Sequence, residues 1–274
     1  MKIAITGASG FVGRRFRQMS AEHVFLPIST RETVNLPACD AVVHLAGEPV
    51  AQRWTAEVRE RIRSSRVEGT RRLVDAMAKD PPSVLVSASA TGYYGSRGDE
   101  ILTESSAPGD DFLGQLAVEW EREAMRAEEF GVRVVRLRIG IVLGRGGALA
   151  KMLPIFRLGL GGPIGMGRHW MSWVHIDDLA RLIEFAVVNP VRGAVNAVAP
   201  NPVTNAEFTR EFAKALHRPA VFPVPRLALR VLYGEMASIL WASMRVSPEA
   251  ALRAGFVFRR PNIQDPEVWG LDTD

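Results

Sequence analysis

The sequence predicts an α/β protein: a doubly wound parallel sheet followed by a smaller, mostly helical region. Three observations lead there. Short apolar runs alternate with longer amphipathic stretches through the first two thirds of the chain. The first of those runs breaks into three glycines spaced three apart, Gly7, Gly10 and Gly13. From about Pro219 onward, helical stretches are punctuated by Pro223, Pro225, Pro248 and Pro261, and strand patterns disappear.

Lys2 to Thr6 is a short apolar strand, and the segment that follows reads as a glycine turn opening a helix. Gly7 permits the sharp turn, Gly10 lets the backbone approach a pyrophosphate, and Gly13 lets the new helix pack closely on the sheet. Free amides at such a helix start face phosphates, so Gly7, Ser9, Gly10, Phe11, Val12 and Gly13 are the expected phosphate-side residues of a Rossmann-type cradle. The spacing differs from Gly-x-Gly-x-x-Gly and from a phosphate loop ending in Gly-Lys-Ser/Thr.

His23 to Ile28 and Asp40 to Gly47 read as buried parallel strands. A helix is expected from about Thr55 to Ala78, stopped by Asp80-Pro81-Pro82. Ser83 to Ala88 is the next strand, Asp111 to Phe130 a helix, and Val132 to Arg138 a strand. Then come a glycine-dense loop from Gly159 to Gly167, the cluster Trp170-Met171-Ser172-Trp173, a helix opening near Asp177-Asp178, and a strand over Val195 to Ala199. Thr204 and Glu207 have capping-box spacing for the helix after them. The expected division is a dinucleotide-binding domain over 1–155, with 174–200 returning to it, and a small substrate-side domain over 156–173 and 201–274.

Composition excludes several classes. The 274 residues suffice for a substantial core, and no uninterrupted apolar window reaches membrane-spanning length. The glycines break the N-terminal apolar run, so no signal peptide is expected and a soluble, cytoplasmic protein is. Cys39 is the only cysteine, which rules out an internal disulfide, and no His/Asp/Glu set has metal-ligand spacing, so no metal is expected. The net charge of +4 comes from segments that mix both signs, such as Glu57 to Arg61 and Glu119 to Glu123. That is the pattern of solvated helix faces, so no nucleic-acid partner is expected. A small-molecule substrate is expected, and the oligomeric state stays open.

Thr6 to Gly13, Asp40 to Gly47 and Ser87 to Gly95 together resemble the extended short-chain dehydrogenase/reductases. Arg63 to Val67, Gly140 to Gly144, Phe156 to Gly165 and Trp173 to Asp178 narrow the resemblance to the atypical "epimerase family protein" branch. Leu232 to Met236, Arg245 to Pro248 and Ala254 to Phe256 are similar to the small uncharacterised domain that closes those proteins. The resemblance implies a Rossmann-type fold, a nicotinamide cofactor, Arg66 near that cofactor and a backbone contact at Val142.

The cofactor's ribose is read at the end of the second strand, which here holds Ser29, Thr30 and Arg31. A carboxylate would repel a 2′-phosphate, whereas a guanidinium binds it, so Thr30 and Arg31 point to NADP(H) rather than NAD(H). Leu45, Ala46 and Gly47 are expected to line the adenosine side, where small residues admit close backbone approach. His44 reads as a packed strand residue, and His175 with Asp177-Asp178 as a helix start rather than a catalytic pair.

The resemblance also implies a serine and a Tyr-x-x-x-Lys pair. Ser89 matches the serine, but Leu113 and Ala117 stand where the pair belongs. None of Tyr93, Tyr94 or Tyr233 is followed by a lysine four residues on. Two readings follow: an NADP(H)-dependent oxidoreductase or epimerase in which Ser89 works with Tyr93 or Tyr94, or an NADP(H)-binding regulatory protein that has lost the reaction.

Overall fold

The computed structural model describes residues 1–271. The first half runs β1 (Lys2–Thr6), α1 (Phe11–Met19), β2 (Val24–Ile28), β3 (Ala41–His44), α2 (Ala56–Met77), β4 (Val84–Ala90), β5 (Ile101–Leu102), α3 (Phe112–Met125) and β6 (Arg133–Ile139). The second half runs β7 (Ile141–Leu143), α4 (Gly147–Arg157), β8 (Trp170–Met171), β9 (Trp173–His175), α5 (Ile176–Val188), β10 (Gly193–Ala197), β11 (Val203–Thr204), α6 (Asn205–Ala215), α7 (Arg226–Tyr233), β12 (Arg245–Val246) and α8 (Glu249–Arg253).

Six strands form one parallel sheet in the order β10-β6-β4-β3-β1-β2. Alternate side chains serve opposite faces. Ile3, Ile5, Val43, Val84, Val86, Val135 and Leu137 pack with Phe16 of α1 and Leu179, Leu182 and Ile183 of α5. Ala4, Val42, Leu85 and Val134 pack with Leu73, Val74 and Met77 of α2 and Ala124 of α3. Helices on both faces explain why the central strands read as unbroken apolar runs.

β2 departs from the expectation of a buried strand. It lies at the sheet edge and pairs only with β1, and Val24 and Pro27 are exposed. Proline lacks the N–H a central strand needs on both sides, so Pro27 belongs on an edge.

A second core gathers Leu143, Leu149, Phe156, Trp173, Phe208, Phe212, Ile263 and Trp269. Leu143 and Leu149 precede position 156, so residues on the N-terminal side of the expected boundary contribute to this second core. The capping box at Thr204 and Glu207 is formed in both directions. No helix among the described residues is long and apolar enough to cross a membrane.

Candidate nucleotide-binding site

The glycine turn is built as its spacing requires. Gly7 has φ +68°, and a β-carbon there would lie 2.9 Å from the Leu45 and Ala46 backbone. A β-carbon on Gly13 would lie 2.2 Å from the Gly7 carbonyl oxygen. α1 therefore starts directly against the turn, and only glycine fits. Its N-cap, Gly10, supplies no side-chain cap, and no acid sits in the first turn, so the leading amides are left for an anion. Ser9 and Gly10 are exposed there, while Val12 packs against the first core.

Phe11 closes one side of this turn. β-carbons on Gly146 and Gly147 would each lie 2.9 Å from its ring, and one on Gly144 would meet it at 3.4 Å. The Phe11 ring thus seats the loop after β7 and ties the start of α1 to the strand carrying Val142. Val142 is half-buried and pairs with Val174 of β9.

Beneath the turn, Thr6 Oγ1 accepts the amides of Leu45 and Ala46, both at 3.0 Å, and lies 2.6 Å from His44 Nδ1. With two N–H groups donating to it, the Thr6 hydroxyl donates its own hydrogen to Nδ1. His44 is then the neutral tautomer whose Nε2–H donates to Thr70 Oγ1 at 2.9 Å. Full burial, with a smaller contribution from the Arg66 charge, pulls the His44 pKa down to about 4. This relay fixes the expected adenosine-side segment to β1 and α2.

Arg66 supports the same segment from below. Its Nη1 donates to the Glu48 and Ile62 carbonyls, its guanidinium lies 5.2 Å from the Trp120 ring, and a β-carbon on Gly47 would be 3.1 Å from it. Burial lowers its pKa to about 10. At the end of β2, Thr30 is buried and its carbonyl accepts two bonds from Arg72. Arg31, next in the chain, is exposed. Of the neighbouring basic groups, Arg15 is paired with Asp177 at 2.6 Å and Arg14 donates to the Ser9 carbonyl.

At the end of β4 the side chains form a buried ionic cluster. Ser89 Oγ donates to Glu121 Oε1 at 2.7 Å, and Glu121 is held by Arg138 at 2.8 and 3.0 Å and by Arg136 at 3.0 Å. Tyr94 donates to Asn196 Oδ1 at 2.6 Å and accepts from Arg138 at 3.0 Å. Burial pushes its pKa up to about 12, against the opposing effect of Arg138.

Tyr94 was expected among the proton-handling residues, and the structure corrects that. Its side chain is 0 % exposed with its hydroxyl committed on both sides, so it is a structural member of this cluster. Ser89 is likewise buried, its hydrogen bound to Glu121. Tyr93 is half-buried, with the Arg138 guanidinium 3.4 Å from its ring centre. Leu113 packs beside Gly92 in the turn after β4, and Ala117 is buried one helical turn further along α3.

Sequence reasoning missed Glu121, Arg136 and Arg138 as a unit. The available signal was a glutamate eight residues beyond Leu113, on the same face of α3. His175 caps α5 by accepting from the Asp177 amide at 3.2 Å, which agrees with the helix-start reading. Asp178, 0 % exposed, accepts from the Arg259 and Arg260 amides and from Arg181. Glu22, His23 and Glu184 lie together at the start of β2, at the opposite end of the strands from the glycine turn, and His23 is bonded to Glu184 at 2.7 Å.

Comparison with known proteins agrees with this geometry. The model of the NAD dependent epimerase/dehydratase family matches residues 3–199, and a domain of unknown function matches residues 224–265. The chain is 39% identical to the chloroplastic homologue of epimerase family protein SDR39U1 from Arabidopsis thaliana, covering 97% of this chain and 85% of the relative. It is 36% identical to epimerase family protein YfhF of Bacillus subtilis, covering 96% of both. The crystal structure of the human epimerase family protein SDR39U1 with NADPH superposes with a TM-score of 0.91 at 33% identity over 98% of each chain. A Thermus thermophilus UDP-glucose 4-epimerase in complex with NAD, at 17% identity and a TM-score of 0.78 over 98% of each chain, shares the fold. With its glycine cradle, parallel sheet and these matches, the chain belongs to the NAD dependent epimerase/dehydratase family.

Proposed function

We propose that this protein binds NADP(H) and is an oxidoreductase or epimerase acting on a small molecule, with a proton-handling site that lacks the tyrosine-lysine pair. The observation that carries the cofactor choice is Arg31, exposed at the end of β2 beside a glycine cradle whose helix amides are free. A guanidinium there pairs with a 2′-phosphate by charge-assisted hydrogen bonds, and no carboxylate precedes it on the strand. The relative crystallised with NADPH supports the same choice.

Gly7, Ser9, Gly10, Phe11, Val12 and Gly13 would hold the pyrophosphate, Thr30 and Arg31 the 2′-phosphate, and Leu45, Ala46 and Gly47 the adenosine side. Val142 would flank the nicotinamide, and Arg66 acts by holding the Gly47–Glu48 backbone. When bound, the cofactor supplies or accepts a hydride. Tyr93 is the remaining tyrosine at the end of β4 whose hydroxyl is not taken up by the cluster, so it is the group placed to exchange a proton. Ser89, with its hydrogen on Glu121, presents lone pairs only and would accept from a substrate hydroxyl.

A second reading, an NADP(H)-binding protein without a reaction, draws on the same commitments of Ser89 and Tyr94 and on Leu113 and Ala117. The experiment that separates them is NADPH oxidation against a panel of carbonyl compounds and nucleotide sugars. Turnover lost in Tyr93→Phe supports the enzyme. Turnover unchanged in both Tyr93→Phe and Ser89→Ala removes those residues from the chemistry, and saturable NADPH binding with no turnover favours the binding protein.

A further inference from the structure

At the opposite end of the strands from the glycine turn, the turn between α1 and β2 meets α5. The His23 amide donates to the Ser20 carbonyl at 3.1 Å, which fixes the turn, and packing of Phe16 against Leu179, Leu182 and Ile183 fixes the helix beside it. The fold thereby gathers Glu22, His23 and Glu184, whose ligating nitrogen and oxygens all lie within 4.8 Å of one another. Their positions have no metal-ligand spacing in the sequence, because Glu184 arrives 161 residues after His23 on a different element.

Three features distinguish this set from a solvated acidic cluster. The His23 side chain is 9 % exposed, and its Nε2 lies 2.7 Å from Glu184 Oε1, so one proton bridges two atoms that a cation would take together. Glu184 Oε2 is buried and accepts no hydrogen bond, and His23 Nδ1 is likewise unbonded. A buried carboxylate oxygen without a donor is a lone pair that a cation satisfies. No lysine or arginine compensates the two carboxylates: among the described residues Glu184 pairs only with His23, and Glu22 forms no ion pair. Arg181, one helical turn before Glu184, is committed to Asp178 and to the Val257 carbonyl. Beside the cluster is a recess of about 390 Å³ whose walls include Ser20, Glu22, Glu184, Phe185 and Asn189, which gives an ion its way in and leaves room for water. Imidazole nitrogen favours zinc and its transition-metal neighbours over magnesium and calcium, which take oxygen ligands. A tetrahedral zinc with ligands about 2.0–2.1 Å away holds them about 3.3 Å apart, so the His23–Glu184 contact opens slightly and the exposed Glu22 swings in.

We propose that Glu22, His23 and Glu184 form a binding site for a divalent transition-metal cation, with zinc the matching ion and water completing the tetrahedron. His23 Nε2 and one oxygen of each glutamate are the ligands. The bound ion ties the turn between α1 and β2 to α5, a structural clamp at the far end of the sheet from the nucleotide cradle. The site is independent of the proposed NADP(H)-dependent function.

The test titrates the whole, untagged chain, stripped with EDTA and dialysed, with zinc chloride and separately with magnesium chloride by calorimetry. Zinc is expected to bind saturably at one site, and magnesium at least about tenfold more weakly. Zinc should also raise the thermal unfolding temperature, because an ion that binds only the folded chain stabilises it. Zinc affinity should fall at least about tenfold in His23→Gln and in Glu184→Gln, with the temperature shift lost. Glu22→Gln alters an exposed residue, so its weaker zinc binding is measurable even where the two more buried variants fail to fold. His217→Gln, at an exposed histidine elsewhere, should leave zinc affinity unchanged. Absence of saturable zinc binding overturns the proposal. So do zinc affinity indifferent to all three ligand substitutions, magnesium bound as tightly as zinc, and zinc binding without a rise in unfolding temperature.

Discussion

Thr6 holds the Leu45–Ala46 backbone directly, and His44 and Thr70 orient the Thr6 hydroxyl that does so. Because the Thr6 hydroxyl accepts two amides and donates to Nδ1, the relay works only with a neutral imidazole. In the unfolded chain His44 titrates near its ordinary value of 6.5, and in the fold near 4. The unfolded state thus takes up the proton first on acidification. The stabilisation from this group is complete above pH 6.5 and is lost as pH falls toward 4. The loss is on the order of 3 kcal/mol, and urea unfolding across that window should show it, with a shallower pH dependence in His44→Gln. At Glu121 the expectation is larger. Glu121→Ala strands two arginines that are buried or nearly so, and should cost about 3–5 kcal/mol by the same measurement.

Legibility at this scale divided by chemistry. The glycines announce themselves, since the turn geometry at Gly7 and Gly13 demands that residue type. Glu121, Arg136 and Arg138 did not, because alternating charge on a helix ordinarily marks a solvated face, and only the three-dimensional meeting of α3 with β6 turns it inward.

At the scale of elements, α1 and the β7–α4 loop are set by close contact rather than by propensity. Gly13→Ala puts a methyl 2.2 Å from the Gly7 oxygen, so helix and turn must separate. The expected cost is about 1–3 kcal/mol in stability, with loss of NADPH binding beyond what that destabilisation explains, read by calorimetry on the folded variant. The α6 capping box was legible from Thr204 and Glu207 alone, and Thr204→Ala should cost about 1 kcal/mol in thermal unfolding without changing NADPH affinity. β2 was misjudged as buried because the apolar run conceals its edge position, which depends on strand order and not on local pattern.

For the whole molecule, alternation of strand and helix was enough to give the doubly wound sheet. The distribution of residues between two cores was not. Trp173 lies in the second core while Val174, next to it, lies in the first, so β9 and α5 join the two bodies. Asp178 then fastens the C-terminal tail by accepting from the Arg259 and Arg260 amides. The structure thus sets the glycine turn at the C-terminal end of β1, with the Leu45–Gly47 segment fastened beside it through Thr6.

The most direct test is calorimetric titration of the protein and of Arg31→Ala with NADPH and NADH separately. NADPH should bind more tightly than NADH, and Arg31→Ala should weaken NADPH alone by about 1.5–3 kcal/mol, the range of a charge-assisted hydrogen bond. Equal affinity for the two coenzymes, or saturable affinity for neither, would contradict it.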